Sequence, residues 1–381
     1  MAQTARDIIA TRSRDAVASP NQDLRVEHIR DPRSSIGHIL TIVREHLDVD
    51  AAFVGHLSSG SIIEESTGDL HASNGHVESG HDGHFEIPVR SSDGCLDGSL
   101  RLRVRPGGRA IHREDFRFLN VIAALIADCS QQERLRDDVI VSRRERIRQV
   151  VDDRHKLAMV FQPIVHLGTG TVVGCEALSR FHFPPYRTPE LWYREAWSVG
   201  MGMDLELTAL RRAFAAAPEL PKNSYLCVNV SPALIGSNAL DEAIPEAIAS
   251  RVVLELTEHT SVDDYTILAE ALRTLRRRGI RLAIDDAGAG FSSLRHVLRL
   301  TPEFIKLDAS LTRSLDLEPK RWALVDSLLG FADRIGAALI AEGIEDPSDM
   351  RTLKDIGLKY GQGHILCRPI GPPVPDTVAV D

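Results

Sequence analysis

From Leu157 onward the chain is a series of eight short apolar runs: Met159 to Val165, Val172 to Leu178, Tyr225 to Val230, Val252 to Leu256, Arg281 to Ile284, Phe304 to Leu307, Ala337 to Ile340 and Tyr360 to Leu366. Short apolar runs bounded by polar residues read as buried strands, and most of the gaps hold helical periods, as at Tyr265 to Arg277 and Trp322 to Arg334. Eight strands alternating with helices in about 220 residues predict an α/β fold, a TIM-like (β/α)8 barrel. In a parallel barrel the carboxyl ends of all strands face one mouth, so residues distant in sequence are expected to converge there.

What stands at those ends is polar: Gln162 in FQPI, Glu176 and Arg180 in EALSR, Asn229 in VNVSP, Glu255 and Glu258 in ELTE, Asp285 and Asp286 in DDAGAG, Lys306 in IKLD, Glu342 and Glu345 in AEGIE, and Gln362 in GQG. Carboxylates this dense repel one another unless a counter-charge joins them. Oxygen ligands with no His or Cys among them favour magnesium or manganese over zinc or copper. The adjacent pair Asp285-Asp286 suits two ions, which together activate a water and stabilise in-line attack on a phosphodiester. Lys306, one of six lysines, lies inside an apolar run and needs an anionic partner; it is suited to orienting a water or moving its proton, and Arg180 to holding a phosphate. Taken singly, each residue also reads as a cap, a turn former or half of a structural ion pair. By spacing alone, a metal phosphodiesterase and a carboxylate-paired glycosidase both remain open.

Composition narrows the classes. The 381 residues are 43% hydrophobic and 26% charged, enough for roughly two domains with real cores, and no apolar run reaches the length of a membrane span. A net charge of −9 argues against binding DNA or RNA as a polymer, though a local pocket can still take an anionic ligand. Five scattered cysteines with no CxxC pair predict neither a disulfide framework nor a zinc ribbon. The first residues, MAQTARDIIATRSRD, offer no secretory h-region, so the expected location is cytoplasmic, away from the membrane.

Upstream of the barrel, residues 1–24 read as a flexible arm. Residues 25–133 read as a small α+β domain, with a helix over Ile36 to Leu47, strand-like runs at Ala51 to Leu57, Phe85 to Val89 and Ser99 to Val104, and a helical period over Phe116 to Ile126. The segment SSDGCLDGS between two of these runs predicts a hairpin. Residues 134–156, rich in both charge signs, read as a linker helix, either solvated or dimerising. His71, His76, His81 and His84 form a cluster that reads as an exposed polar loop or, alternatively, as a transition-metal or pH-sensing site. GAGFSS lacks the Gly-Lys-Ser/Thr ending of a phosphate loop.

In their order, EALSR, the Asn of NVSP, ELTE, DDAGAGFSS, IKLD, AEGIE and the Gln of QGH resemble the motif set of the EAL-domain cyclic di-GMP phosphodiesterases, over residues 157–371. The resemblance implies a TIM-like barrel in residues 157–381, two magnesium or manganese ions per site, and hydrolysis of cyclic di-GMP to linear pGpG. It implies Glu176, Asn229, Glu255, Asp285 and Asp286 as metal ligands, and Lys306 at the attacking water. Glu176, Lys306 and Glu342 would carry catalysis; Gln162, Leu178, Arg180 and Gln362 would contact substrate; Glu258 and Glu345 would support the loop and the site. A homodimer is implied on the same basis. Ala287, Ala289 and Phe291 replace the Phe, Thr and Tyr usual in the family's loop, while Gly288, Gly290, Ser292 and Ser293 are kept. The alternative within the family is a receptor that binds cyclic di-GMP without cleaving it. Residues 25–133 resemble a shortened GAF sensory domain, which implies regulation of the barrel by its N-terminal neighbour.

Overall fold

The computed structural model describes residues 35–56, 62–66, 84–91, 96–104, 111–257, 262, 264–287 and 291–380. Glu258, the histidines at 71, 76 and 81, the arm 1–24 and the loop glycines 288 and 290 lie outside the described residues. The chain divides into two units, residues 1–141 and 142–381.

In the first unit, strands β1 (Ala51–His56), β2 (Ile62–Ser66), β3 (His84–Arg90) and β4 (Leu96–Arg103) form an antiparallel sheet in the order β2-β1-β4-β3. The β3–β4 hairpin occurs where the Asp-Gly signature predicts it, with Phe85 opposite Leu102 and Ile87 opposite Leu100. β2 was not expected from the sequence; Ile62-Ile63 followed by two glutamates shows too little alternation to announce a strand. The helix Ser35–Leu47 buries Ile36, Leu40, Val43 and Leu47 against Val54, Leu100 and Leu102 and against Leu119, Ile122 and Ile126. The helical period at 116–126 and the linker helix are one element, the helix Arg113–Asp152.

The second unit is a closed barrel of eight strands, β5 (Leu157–His166), β6 (Val172–Phe181), β7 (Tyr225–Asn229), β8 (Val252–Thr257), β9 (Arg281–Ala287), β10 (Phe304–Leu307), β11 (Ala338–Ala341) and β12 (Tyr360–Gly361), closing β12 against β5. Each of the eight expected runs contains a strand, the last only at Tyr360–Gly361, with residues 362–366 turning away from it. The expectation that every strand is parallel is corrected: β5 runs antiparallel to both β6 and β12. The reason is chain length. Five residues separate β5 from β6, enough for a hairpin, whereas a parallel connection needs about a dozen or more. The C-terminal segment then covers this hairpin, pairing Ile370 with Phe161 and Thr377 with Thr171.

Period-two alternation sorts each barrel strand into an outward face, buried under the helices, and an inward face. The inward layer at one end is Ile164, Tyr225, Cys227, Val253, Ala283, Phe304 and Ile340. Gly174 belongs there too, because a Cβ on it would lie 2.2 Å from the Tyr225 ring. Two residues further along their strands, the same faces carry Glu176, Glu255, Asp285, Lys306 and Glu342. The apolar layer thus forms a floor on which the polar set stands.

Candidate active site

Lys306 is at the centre. It is fully buried, and its Nζ lies 2.7 Å from Glu342 Oε1, 3.1 Å from Glu255 Oε1, 3.1 Å from Asp285 Oδ1 and 3.4 Å from Glu176 Oε2. Five strands, β6, β8, β9, β10 and the end of β11, therefore deliver one charged group each to a single point. Burial by itself would lower the Lys306 ammonium pKa, but Asp285, Glu176, Glu255 and Glu342 more than offset this and hold it well above its ordinary value. Burial pushes Glu255 far above the usual carboxylate range; Lys306 pulls it down, and the neighbouring acids push it up again. Glu342 is pushed up to about 8, mainly by burial, against the pull of Lys306.

A second layer of contacts orients these acids. Gln362 Nε2 donates to Glu176 Oε2 (2.6 Å) and to Gln162 Oε1 (3.0 Å), and Gln162 Nε2 donates to the Cys367 carbonyl (3.2 Å). Gln162 reaches this layer from the middle of the reversed strand, because the β5–β6 register sets it directly opposite Glu176. Asn229, exposed at the end of β7, donates from Nδ2 to Glu176 Oε1 at 3.4 Å.

Asp285 and Asp286 are consecutive, and a regular strand would send them to opposite faces. Here the β9–β10 register slips: Ile305 pairs with Ile284 but Leu307 pairs with Ala287, leaving one extra residue on β9. Asp286 takes φ 54°, a left-handed conformation that Asp tolerates better than most residues. The bulge turns both carboxylates to one side, where ligand atoms of Asp285, Asp286 and Glu342 lie within 4.8 Å of one another. Glu255 Oε1 and Asp285 Oδ1 are buried, each with the Lys306 ammonium 3.1 Å away but without a well-directed hydrogen bond to it. Hard oxygen atoms in excess over the single lysine are the donor set of a divalent cation, so the residues present fit such an ion.

Leu178 and Arg180 stand apart from the cluster. Both line a cavity of about 1000 Å³ beside it, together with Tyr193, Trp197 and Asn229. The Arg180 side chain donates from Nη1 to the adjacent Ser179 carbonyl (2.8 Å), its one hydrogen bond among the described residues. Glu345 is not drawn into the cluster: it pairs with Arg313 at 2.8 Å and faces His364. Glu206, which no strand-end pattern announces, is buried at the cavity wall with three hydrogen bonds. The one available signal was an acid among Leu205, Leu207, Ala209 and Leu210 on the apolar side of its helix.

The EAL domain family profile matches residues 144–369, more than half of the sequence. The chain belongs to the EAL domain family. Among curated EAL relatives, Cyclic di-GMP phosphodiesterase PA2567 of Pseudomonas aeruginosa is 30% identical over 235 residues, 59% of this chain and 40% of that one. Cyclic di-GMP phosphodiesterase RocR of the same species is 28% identical over 239 residues, 57% of this chain and 58% of that one. The chain thus spans less than two thirds of either relative. Among solved EAL structures, Klebsiella pneumoniae BlrP1 as a manganese and cyclic di-GMP complex aligns with a TM-score of 0.51 at 28% identity, covering 56% of each chain. Among the described residues, no helix is long and apolar enough to cross a membrane.

Proposed function

We propose that this chain is a divalent-metal-dependent phosphodiesterase that hydrolyses cyclic di-GMP to linear pGpG. The observation that carries the reading is the cluster of Glu176, Glu255, Asp285 and Glu342 around Lys306, with Asp285, Asp286 and Glu342 close enough to share an ion. Relatives named for this activity, and a neighbour solved with manganese and cyclic di-GMP, support it.

In this reading Glu176, Asn229, Glu255, Asp285 and Asp286 hold two magnesium or manganese ions. Bound there, the ions supply Lewis-acid polarisation of the phosphodiester and a lowered pKa for an attacking water. The protein's own part is positional. Metal-ligating carboxylates must be deprotonated, and Lys306, within 3.4 Å of three of them, Glu176, Glu255 and Asp285, as well as of Glu342, holds compensating positive charge in a dry site. Lys306 also orients the attacking water. Glu342, whose carboxyl is pushed up to about 8, holds or yields a proton near neutral pH at Oε2, since Oε1 accepts from the Lys306 ammonium at 2.7 Å. Gln362 fixes the rotamer of Glu176 and is itself held by Gln162. Arg180 meets a substrate phosphate, Leu178 and the apolar cavity wall take the bases, and Glu345 and Glu258 steady the surrounding loops. The N-terminal unit, read as a shortened GAF-like domain, regulates the barrel, and the chain works as a homodimer.

The test is to incubate the full chain with cyclic di-GMP and magnesium or manganese, beside Glu176→Ala, and to separate the nucleotides chromatographically. Formation of pGpG by the wild type alone supports the reading. Binding without cleavage under both metals replaces it with a receptor that signals through cyclic di-GMP occupancy.

A further inference from the structure

Glu206 lies in the cavity wall, outside the carboxylate cluster around Lys306. It is 8% exposed on the helix Gly202–Ala216, and among the described residues it forms no ion pair. A buried carboxylate without a cation is costly to keep unless its oxygens are well supplied with donors. Here they are. Oε2 accepts from both the backbone N–H (3.1 Å) and the hydroxyl (2.9 Å) of Ser231, and Oε1 accepts from Trp197 Nε1 (3.0 Å). Burial raises its pKa, with the Ser231 and Trp197 bonds drawing it back down.

These bonds converge two residues beyond Asn229. Ser231 is also fixed from the other side, since its Oγ accepts from the Leu234 N–H as the cap of the short helix Pro232–Ile235. Between them, Val230 N–H donates to the Glu255 carbonyl at 3.0 Å. The backbone leaving Asn229 is thus tied at 230 to the strand of Glu255 and at 231 to Glu206. Asn229 itself, exposed and held to Glu176 only at 3.4 Å, has little else to set its direction. Trp197 anchors the far end: it lies over Gly202, where a Cβ would come within 2.2 Å of the indole.

We propose that Glu206 is a positioning residue for the phosphodiester reaction, holding the Asn229–Ser231 turn so that the Asn229 amide faces the carboxylate cluster. This rests on the phosphodiesterase reading given above. Residues that orient metal ligands typically change affinity or activity by about 10- to 100-fold when removed.

The test uses the full chain with cyclic di-GMP as substrate and manganese as the titrated ion. Glu206→Ala is expected to lower kcat about 10- to 100-fold and to raise the manganese concentration for half-maximal activity by a similar factor, with KM changed far less. Glu206→Gln offers a sharper arm. Its amide oxygen can keep both Ser231 donors, but its NH2 then opposes the Trp197 N–H, donor against donor. Glu206→Gln should therefore be impaired, and Glu206→Gln/Trp197→Phe, which removes the opposing donor, should recover kcat relative to the single variant. Unchanged kcat and manganese half-saturation in Glu206→Ala, within about twofold, would overturn the proposal, as would a Glu206→Gln defect that Trp197→Phe leaves untouched. If the wild type makes no pGpG, the activity reading fails on its own. Calorimetric manganese binding by the same variants then decides the positioning role, weakened binding in Glu206→Ala supporting it and equal binding ending it.

Discussion

Among the described residues, Lys306 is the one cation within 4.0 Å of Glu176, Glu255, Asp285 and Glu342, so these acids share a single positive charge. Without a metal they cannot all ionise cheaply, and Glu342 is the acid whose carboxyl lies at about 8 rather than its ordinary 4.5. An acid whose pKa is raised by folding contributes stability that is complete below its unfolded value and is lost as pH rises through its folded value. For Glu342 that window runs from about pH 4.5 to about pH 8. In EDTA, the melting temperature of the wild type relative to Glu342→Gln, which does not titrate, should therefore fall as pH rises from about 5 to about 8.5, by the equivalent of a few kcal/mol at most. Saturating manganese should reverse the fall, because ligation favours the deprotonated carboxylates. Differential scanning fluorimetry across pH checks this, and a difference that stays flat in EDTA would show that Glu342 is not the group that titrates.

At the level of elements, the site depends on how closely the loops after β11 and β12 approach. Ile344 N–H donates to the Gln362 carbonyl (3.1 Å) and Ile365 N–H to the Ile344 carbonyl (3.2 Å), lacing Glu342 and Gln362 into one frame. Gly363 sits in that frame, and a Cβ there would meet the Ile344 carbonyl oxygen at 2.1 Å and its nitrogen at 2.4 Å. Backbone cannot yield as a side-chain tip can, so Gly363→Ala must push the two loops apart. We expect a cost of roughly 1–3 kcal/mol in stability and more than a tenfold loss of the proposed turnover. Gly371→Ala, which meets nothing within 4 Å, should change neither. Melting curves and nucleotide chromatography of the two variants check the contrast. Such frames are only half legible in a sequence. The strands announce themselves because each is a short apolar run, and the period of two correctly aligns Glu176, Glu255 and Lys306 with the apolar floor beneath them. The reversed first strand was readable from the short HLGTGT connection, had its length been weighed against the span a parallel crossover needs. The bulge at Asp285-Asp286 was not readable, since it lies in a register slip between two strands. Glu206 was hidden for a related reason: its partners, Trp197 and Ser231, stand 9 and 25 residues away, at no helical or strand period.

On the scale of the whole molecule, the question is where the barrel unit begins. The helix Arg113–Asp152 ends by burying Ile147 and Val150 among Leu157, Trp192, Ala196 and Leu205. Arg212 then takes its last carbonyls, with Nη2 donating to Val150, Val151 and Asp153 at 3.2–3.4 Å and Nη1 to Leu157. Glu195 adds an ion pair to Arg146 at 2.9 Å. The final turns of the helix are thus part of the barrel's packing, although the sequence reading opened the barrel at residue 157. Losing two fully buried aliphatic side chains alone costs on the order of 3–6 kcal/mol, and cutting at 157 also strands Arg212, a partly buried cation that loses most of its acceptors. A fragment of residues 142–381 should therefore fold and, under the proposed function, hydrolyse cyclic di-GMP, whereas residues 157–381 should melt roughly 10 °C lower or fail to accumulate in soluble form. Equal melting temperatures for the two fragments would show that the helix end only rests on the barrel. If the longer fragment turns over substrate at a rate different from the full chain's while melting normally, the difference measures what the first 141 residues contribute to control.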